Sequence, residues 1–159
     1  MHPLHIYTDG SSRGNPGPGG YGIVLLWGKI KKEIAEGYRL TTNNRMELRA
    51  VNVALKSLST KQIPLTIYTD SQYIVKAVKE KWLENWIKTD FKGGKKNKDL
   101  WLEFYQLSKE FKITFQWVKG HASNIYNNRC DELATQAADG KKLLIDHYYE
   151  IEHQKKSST

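Results

Sequence analysis

Cysteine is almost absent from the 159-residue chain: Cys130 stands alone. A single thiol excludes an intramolecular disulfide and a zinc site built on cysteine pairs, and it fits a reducing, cytoplasmic setting. Long apolar runs are also missing. No stretch of 18 apolar residues occurs, and the opening MHPLHIYTDG has no basic region followed by an apolar one. Neither a membrane span nor a secretory signal is expected. Acidic residues are scarce beside basic ones, 17 against 25, leaving a formal charge of +8. Proline numbers only four, and two of the four fall in residues 10–22 with six of the twelve glycines. No Gly-Lys-Ser or Gly-Lys-Thr follows that segment and the next element reads as a strand, so it is not a triphosphate cradle. A tight hairpin connection with close backbone approach is the simpler reading.

What is present points to one globular domain. The hydrophobic fraction of 39% is modest, but 11% aromatic residues and the chain length support a real core. LHIYT alternates as a strand ending at Asp9, and YGIVLLWG and KKEIAEGYRL read as two more joined at Gly28. TTNNRMELRAVNVALKSLS has a helical period, with Thr41, Thr42 and Asn43 as natural caps. Its apolar face carries Ala50, Val51, Ala54 and Leu58, and Arg45, Arg49, Asn52 and Lys56 fall opposite. PLTIYTD is the next strand, followed by a helix over SQYIVKAVKEKW, a helix and loop over LENWIKTDFKGGKKNKDLW that project from the body, and a helix over DLWLEFYQLSKEF. KITFQWV is a strand, KGHASNIYN a loop, and NRCDELATQAADG a closing helix that stops near Gly140. The order βββαβααβα predicts an α/β fold, a mixed five-stranded sheet flanked by helices. Residues 1–145 form the expected domain, and residues 146–159 read as a frayed tail.

Ile-Tyr-Thr-Asp occurs twice, ending at Asp9 and at Asp70. If those strands are neighbours and parallel, the two carboxylates converge. Glu47 lies in the middle of the helical apolar stripe, and Asp131 at the margin of the last helix's small-residue face. Aspartate alone often does no more than cap a turn. A glutamate on the core side of a helix is harder to explain that way, and the conjunction favours a metal site. Four crowded carboxylates repel and raise one another's pKa, and a divalent cation relieves them. An all-oxygen donor set favours Mg²⁺, with Mn²⁺ as a substitute. Two such ions suit in-line phosphoryl displacement.

The positive charge is concentrated. Eight lysines lie between Lys76 and Lys98 against Glu80, Glu84 and Asp90, giving that stretch +5. Trp82 and Trp86 stand at i and i+4 among those lysines, either as core or as a nucleic-acid groove, and Gly93-Gly94 favours the groove. A loop histidine, His121, means little alone, but beside a carboxylate-metal site it can shuttle a proton.

Taken together, YTDGSSRGNPGPGGYG, GYRLTTNNRMELRAV, YTDSQYIV, WVKGHAS and NNRCDELA resemble the type I ribonuclease H family in order and spacing, over residues 6 to about 140. The resemblance implies a ribonuclease H-like fold with a basic protrusion and an endoribonuclease that cleaves the RNA strand of RNA–DNA hybrids, leaving 3′-hydroxyl and 5′-phosphate ends. It implies Asp9, Glu47, Asp70 and Asp131 as metal ligands for two Mg²⁺ ions, with His121 assisting proton transfer or product departure. Gly10, Ser11, Asn15, Asn43, Asn44 and Gln72 match positions along the minor groove, where side-chain amides read 2′-hydroxyls. Thr42 matches part of a DNA-phosphate pocket, and Trp82, Trp86, Lys92, Lys95 and Lys96 match the DNA-strand channel and protrusion. Leu40 stands where some relatives carry a basic residue, leaving open how that pocket gets its charge. The partner is then the hybrid duplex, with no membrane, no obligate protein partner and a monomeric enzyme. A non-catalytic hybrid-binding module, or a carboxylate-metal nuclease for other DNA structures, are the competing readings.

Overall fold

A computed structural model describes residues 3–93, 96–120 and 124–157. The chain runs β1 (Leu4–Ser12), β2 (Gly17–Trp27), β3 (Ile30–Thr41), α1 (Asn43–Lys56), β4 (Pro64–Thr69), α2 (Gln72–Lys79), α3 (Trp82–Lys88), α4 (Lys98–Ser108), β5 (Lys112–Trp117), α5 (Ile125–Ala138), β6 (Leu143–Leu144) and α6 (His147–Ser157). The sheet order is β5-β4-β1-β2-β3-β6. β1, β2 and β3 form the expected antiparallel meander, and β4 and β5 add in parallel on the other side of β1.

The repeat is used as a register. Ile6 pairs with Ile67 and Tyr7 with Tyr68 across the parallel β1–β4 ladder, and the same offset carries Asp9 to Asp70. Alternation then buries Ile6 and Ile67 completely, while Tyr7 and Tyr68 stack on the other face at 4.4 Å. Full burial of each such aliphatic side chain contributes about 1.5–3 kcal/mol.

Several elements differ from the sequence expectation. The sheet has six strands, because two residues, Leu143 and Leu144, pair in parallel with Gly37 and Tyr38 of β3. Three helices separate β4 from β5, one more than the order βββαβααβα counts, the projecting helix being α3: Lys81, in the left-handed region at φ 60°, stands at its start, just past the Glu80 end of α2. β2 begins at Gly17, inside the segment read as a connection. Gly22 must be glycine there, since a Cβ would come within 2.3 Å of the Cys130 carbonyl of α5. α5 starts at Ile125, earlier than expected, because the Asn124 side chain caps the backbone N–H groups of Tyr126 and Asn127.

Helix α1 is capped by Thr42, whose hydroxyl accepts from the Arg45 N–H at 3.3 Å. Its apolar stripe packs on the sheet as expected. Much of its polar face does not meet water: Arg45 is 1% exposed and Asn52 is fully buried, while Arg49 is half-buried and only Lys56 of the four is exposed. α4 and the chain's last segment cover that face with matching polar groups. The Asn52 amide donates to the Leu100 carbonyl and to Glu103. Segment 146–159, expected as a tail, carries α6, and Asp146 at its start is buried. The charges of Arg45 and Arg49 that hold it sit on a distant helix, so sequence proximity gives no sign of the anchor.

Candidate active site

Three carboxylates from three elements meet at one place. Asp9 of β1, Glu47 of α1 and Asp70, just past β4, each offer an oxygen, and these atoms lie within 4.8 Å of one another. Asp9 is not at a strand end as expected, because β1 continues to Ser12 beside β2 after β4 has turned away. Asp70 does sit at such an end, one residue before the Ser71 cap of α2.

Neighbours fix each acid. The Gly10 N–H donates to Glu47 Oε1, and the Thr69 hydroxyl lies 3.5 Å from Glu47 Oε2. Thr69 in turn accepts from the Ser71 N–H at 3.0 Å. The Trp117 indole donates to the Asp70 carbonyl at 3.2 Å, tying the end of β4 to β5. Gly120 approaches Asp70 so closely that a Cβ would lie 2.7 Å from its Oδ2. Trp117, Gly120 and Thr69 were not singled out as site residues from the sequence. The only sequence signal for Thr69 was its place in the repeated Ile-Tyr-Thr-Asp.

The electrostatics are those of a site short of positive charge. Burial pushes Asp9 up to about 7, against its ordinary 3.8, and the Asp70 and Asp131 charges push the same way. Burial first, then Asp9 and Asp70, raise Glu47 well above the usual carboxylate range. A side-chain hydrogen bond links the pair, so Glu47 holds a proton against Asp9. Cys130, buried behind them, has its thiol pushed up by burial and by Asp9, so it stays protonated.

An all-oxygen, proton-retaining carboxylate cluster fits a hard divalent cation, which would replace the shared proton. The arrangement also predicts a pH effect. Between pH 3.8 and about 7 the folded protein keeps a proton at Asp9 that the unfolded chain releases. Stability is therefore lost as pH rises through that window, and above it the penalty is full. Asp9→Asn should stabilise the cation-free protein at pH 8 by on the order of 2–4 kcal/mol, with the gain shrinking toward pH 4. Urea melts at both pH values, with and without Mg²⁺, check this; added cation should close the gap.

Gly120 supplies a second expectation. Gly120→Ala forces the Asp70 carboxylate out of its position, because the new methyl occupies its space. Divalent-cation affinity, read by calorimetry, should fall about tenfold or more, with a melting temperature near wild type. Unchanged affinity would mean that Asp70 has room to spare.

Placement of the other expected residues is mixed. Asp131, on α5, is half-buried and outside the three-carboxylate group, although its charge reaches Asp9. Asn43 accepts the Ser12 N–H at 2.7 Å, and its own N–H donates to Asn15 at 3.1 Å, so both asparagines lock the β1–β2 turn to α1. Ser11 is half-buried in β1, and Asn44 and Gln72 are exposed in the first turns of α1 and α2. Trp82 is 38% exposed, whereas Trp86 packs against the core beside Tyr73, Phe91 and Trp101. α3 turns Trp86 partly inward, leaving it half-buried against the core. Lys92 and Lys96 are exposed on either side of residues 94–95, and Lys95 and His121 lie outside the described residues.

This geometry can be compared with known proteins. The RNase H family pattern matches residues 1–139. The chain belongs to the ribonuclease H family. A ribonuclease H of Trichodesmium erythraeum is 48% identical over 92% of this chain and 96% of its own length. One from Lachnoclostridium phytofermentans is 50% identical over 91% of this chain and 98% of its own. Among solved structures, LC9-RNase H1, described as a type 1 RNase H with the type 2 active-site motif, superposes with a TM-score of 0.80. It is 29% identical, over 94% of this chain and 80% of its own. LC11-RNase H1, solved in complex with an RNA/DNA hybrid, gives 0.63 at 26% identity, over 86% of this chain and 96% of its own. Ribonucleases H generally depend on divalent metal, and Asp9, Glu47 and Asp70 fit the active site of a metal-dependent nuclease.

Proposed function

We propose that this chain hydrolyses the RNA strand of RNA–DNA hybrids, using two Mg²⁺ ions, with Mn²⁺ as a substitute, and leaving 3′-hydroxyl and 5′-phosphate ends. The observation that carries the reading is the convergence of Asp9, Glu47 and Asp70 within 4.8 Å, with Asn43, about one helical turn before Glu47, bonded to Ser12 of β1 and to Asn15. Bound divalent cations supply an activated water and stabilisation of the leaving oxygen.

The chain's own groups do the rest. Asp9 and Glu47 release their shared proton as they become ligands, while Gly10 and Thr69 keep Glu47 aimed at the site. Asp131 completes the ligand set as a fourth carboxylate, and His121 carries a proton to the departing oxygen. The Asn43 oxygen is taken up by Ser12, so recognition through this residue falls to its NH₂ donor, directed at a 2′-hydroxyl. Gly10, Ser11, Asn44 and Gln72 extend that minor-groove contact. Thr42, Lys92, Lys95, Lys96 and the exposed face of Trp82 meet the DNA strand, with Trp86 supporting Trp82 from 6.4 Å. The enzyme acts as a monomer in the cytoplasm. Among the described residues no helix is long and apolar enough to cross a membrane.

Mg²⁺-dependent cleavage of an end-labelled hybrid, run beside RNA–RNA and DNA–DNA duplexes, tests the assignment. Cleavage confined to the RNA of the hybrid is expected. Equal cleavage of duplex DNA, or cleavage of branched DNA alone, would overturn it.

A further inference from the structure

A cleft of about 530 Å³ lies at the start of α1. Its floor carries Thr42 and Asn44, one wall Lys96 and Asn97, and the opposite wall Tyr149 and His153 of α6. Asn44 precedes Glu47 by three residues, less than one helical turn, so the cleft adjoins the carboxylate site.

The α6 wall is held firmly. Asp146 accepts from Arg45 at 2.7 and 2.9 Å, from Arg49 at 2.9 Å and from the Thr41 hydroxyl at 2.8 Å. Its carbonyl accepts from the Glu150 N–H at 2.9 Å, which starts the helix. Glu150 then grips Arg39 of β3 through both oxygens, at 2.8 and 2.9 Å. Tyr149 lies 5.9 Å from the Arg45 guanidinium and stacks on His153 at 5.6 Å, with ring planes 21° apart.

Arg45 also lines the cleft but has nothing left to offer a ligand. Its Nε donates to Asp146, one terminal nitrogen to Asp99 and Asn97, and the other to Asp99 and Asp146. All five donors are spent and its charge is balanced by two carboxylates. Recognition therefore falls to the uncharged donors on the floor, to the exposed Lys96 ammonium and to the Tyr149–His153 ring pair. Glu152 of α6 also lines the cleft and is paired with Lys155 at 3.5 Å. Beside that pair, neutral donors, the Lys96 cation and a stacked aromatic face together suit a sugar–phosphate backbone with a sugar or base laid against the rings.

We propose that α6 is a substrate-contacting element: beside Thr42 and Lys96, assigned above to the DNA strand, it adds a second face that clamps that same strand of the hybrid. Tyr149 and His153 pack against a sugar or base of that strand, and Lys96 meets its phosphate. The proposal rests on the hybrid-cleaving reading above and adds an element to it.

The test uses the full chain carrying Asp70→Asn and a labelled RNA–DNA hybrid long enough to span both the carboxylates and the cleft. Tyr149→Ala with His153→Ala should weaken binding roughly tenfold. On a hybrid too short to reach the cleft, the double variant should match its parent. Lys96→Ala should lower the salt slope by about 0.7–0.9. Ultraviolet crosslinking of a bromouridine-substituted or bromodeoxyuridine-substituted hybrid to the unsubstituted protein gives a readout that needs no variant to fold, and adducts on α6 are expected. Unchanged affinity on the long hybrid, tighter binding because α6 shields the cleft, or adducts confined to other elements would each overturn the proposal. Failure of the wild-type chain to cleave hybrid would instead remove the underlying functional reading.

Discussion

Asp70→Asn should lower hybrid cleavage at least about a thousandfold, the loss that several kcal/mol of metal-derived transition-state stabilisation represents. Asparagine keeps the shape of the residue and removes only its charge. The backbone of residue 70 stays fixed, because Trp117 holds its carbonyl and Ser71 caps α2 independently. Hybrid affinity should therefore change little, since the asparagine rim and the basic surface do not depend on this carboxylate. Single-turnover cleavage, gel-shift binding and a calorimetric Mg²⁺ titration on one preparation separate these quantities. A variant that cleaves like wild type would remove Asp70 from the ligand set.

The second large effect concerns stability. Arg45→Met should cost about 3–5 kcal/mol, because it leaves Asp146 buried with a large part of its compensation gone. Arg45 is 1% exposed, the Asp146 side chain is fully buried, and the Asp99 side chain is 26% exposed. Burial works against the Asp146 carboxylate, but its hydrogen bonds and the Arg45 and Arg49 charges outweigh this and hold its pKa below the usual range. That stabilisation is present above the ordinary carboxylate pKa and is lost as pH falls through the lowered value. The gap between wild type and variant should therefore be widest near neutrality and narrow in acid. Urea titration at pH 7 and at pH 3 measures it. A variant as stable as wild type at pH 7 would show that Arg49, Thr41 and the Glu150–Arg39 pair hold α6 without Arg45.

The site was more legible than its surroundings. Asp9 and Asp70 could be paired from the sequence because a repeated tetrapeptide in two strands implies a shared register, and the β1–β4 ladder realises it. Glu47 could be picked out because a helical period makes a charge on the apolar stripe conspicuous. The same period put Arg45 and Asn52 opposite the apolar stripe, and the structure buries both. A helical period tells which face meets the sheet, not whether a second layer covers the other face. α4 and the segment leading to α6 provide that layer, with carboxylates and carbonyls placed to satisfy the buried donors.

By itself the sequence determined the α/β class, the excess of positive charge, the lack of an intramolecular disulfide and the three acids that cluster, Asp9, Glu47 and Asp70, since composition, period and repetition are local properties. Tertiary structure decided what depends on distant segments meeting. It brought α6 over the α1 start, packed Trp86 partly buried against the core, placed Gly120 against Asp70 and used up every donor of Arg45. Apart from Trp86, whose ring partners are near in the chain, those outcomes rest on residues about 50 to 100 positions apart, where burial and charge pairing are set by packing rather than by neighbouring sequence.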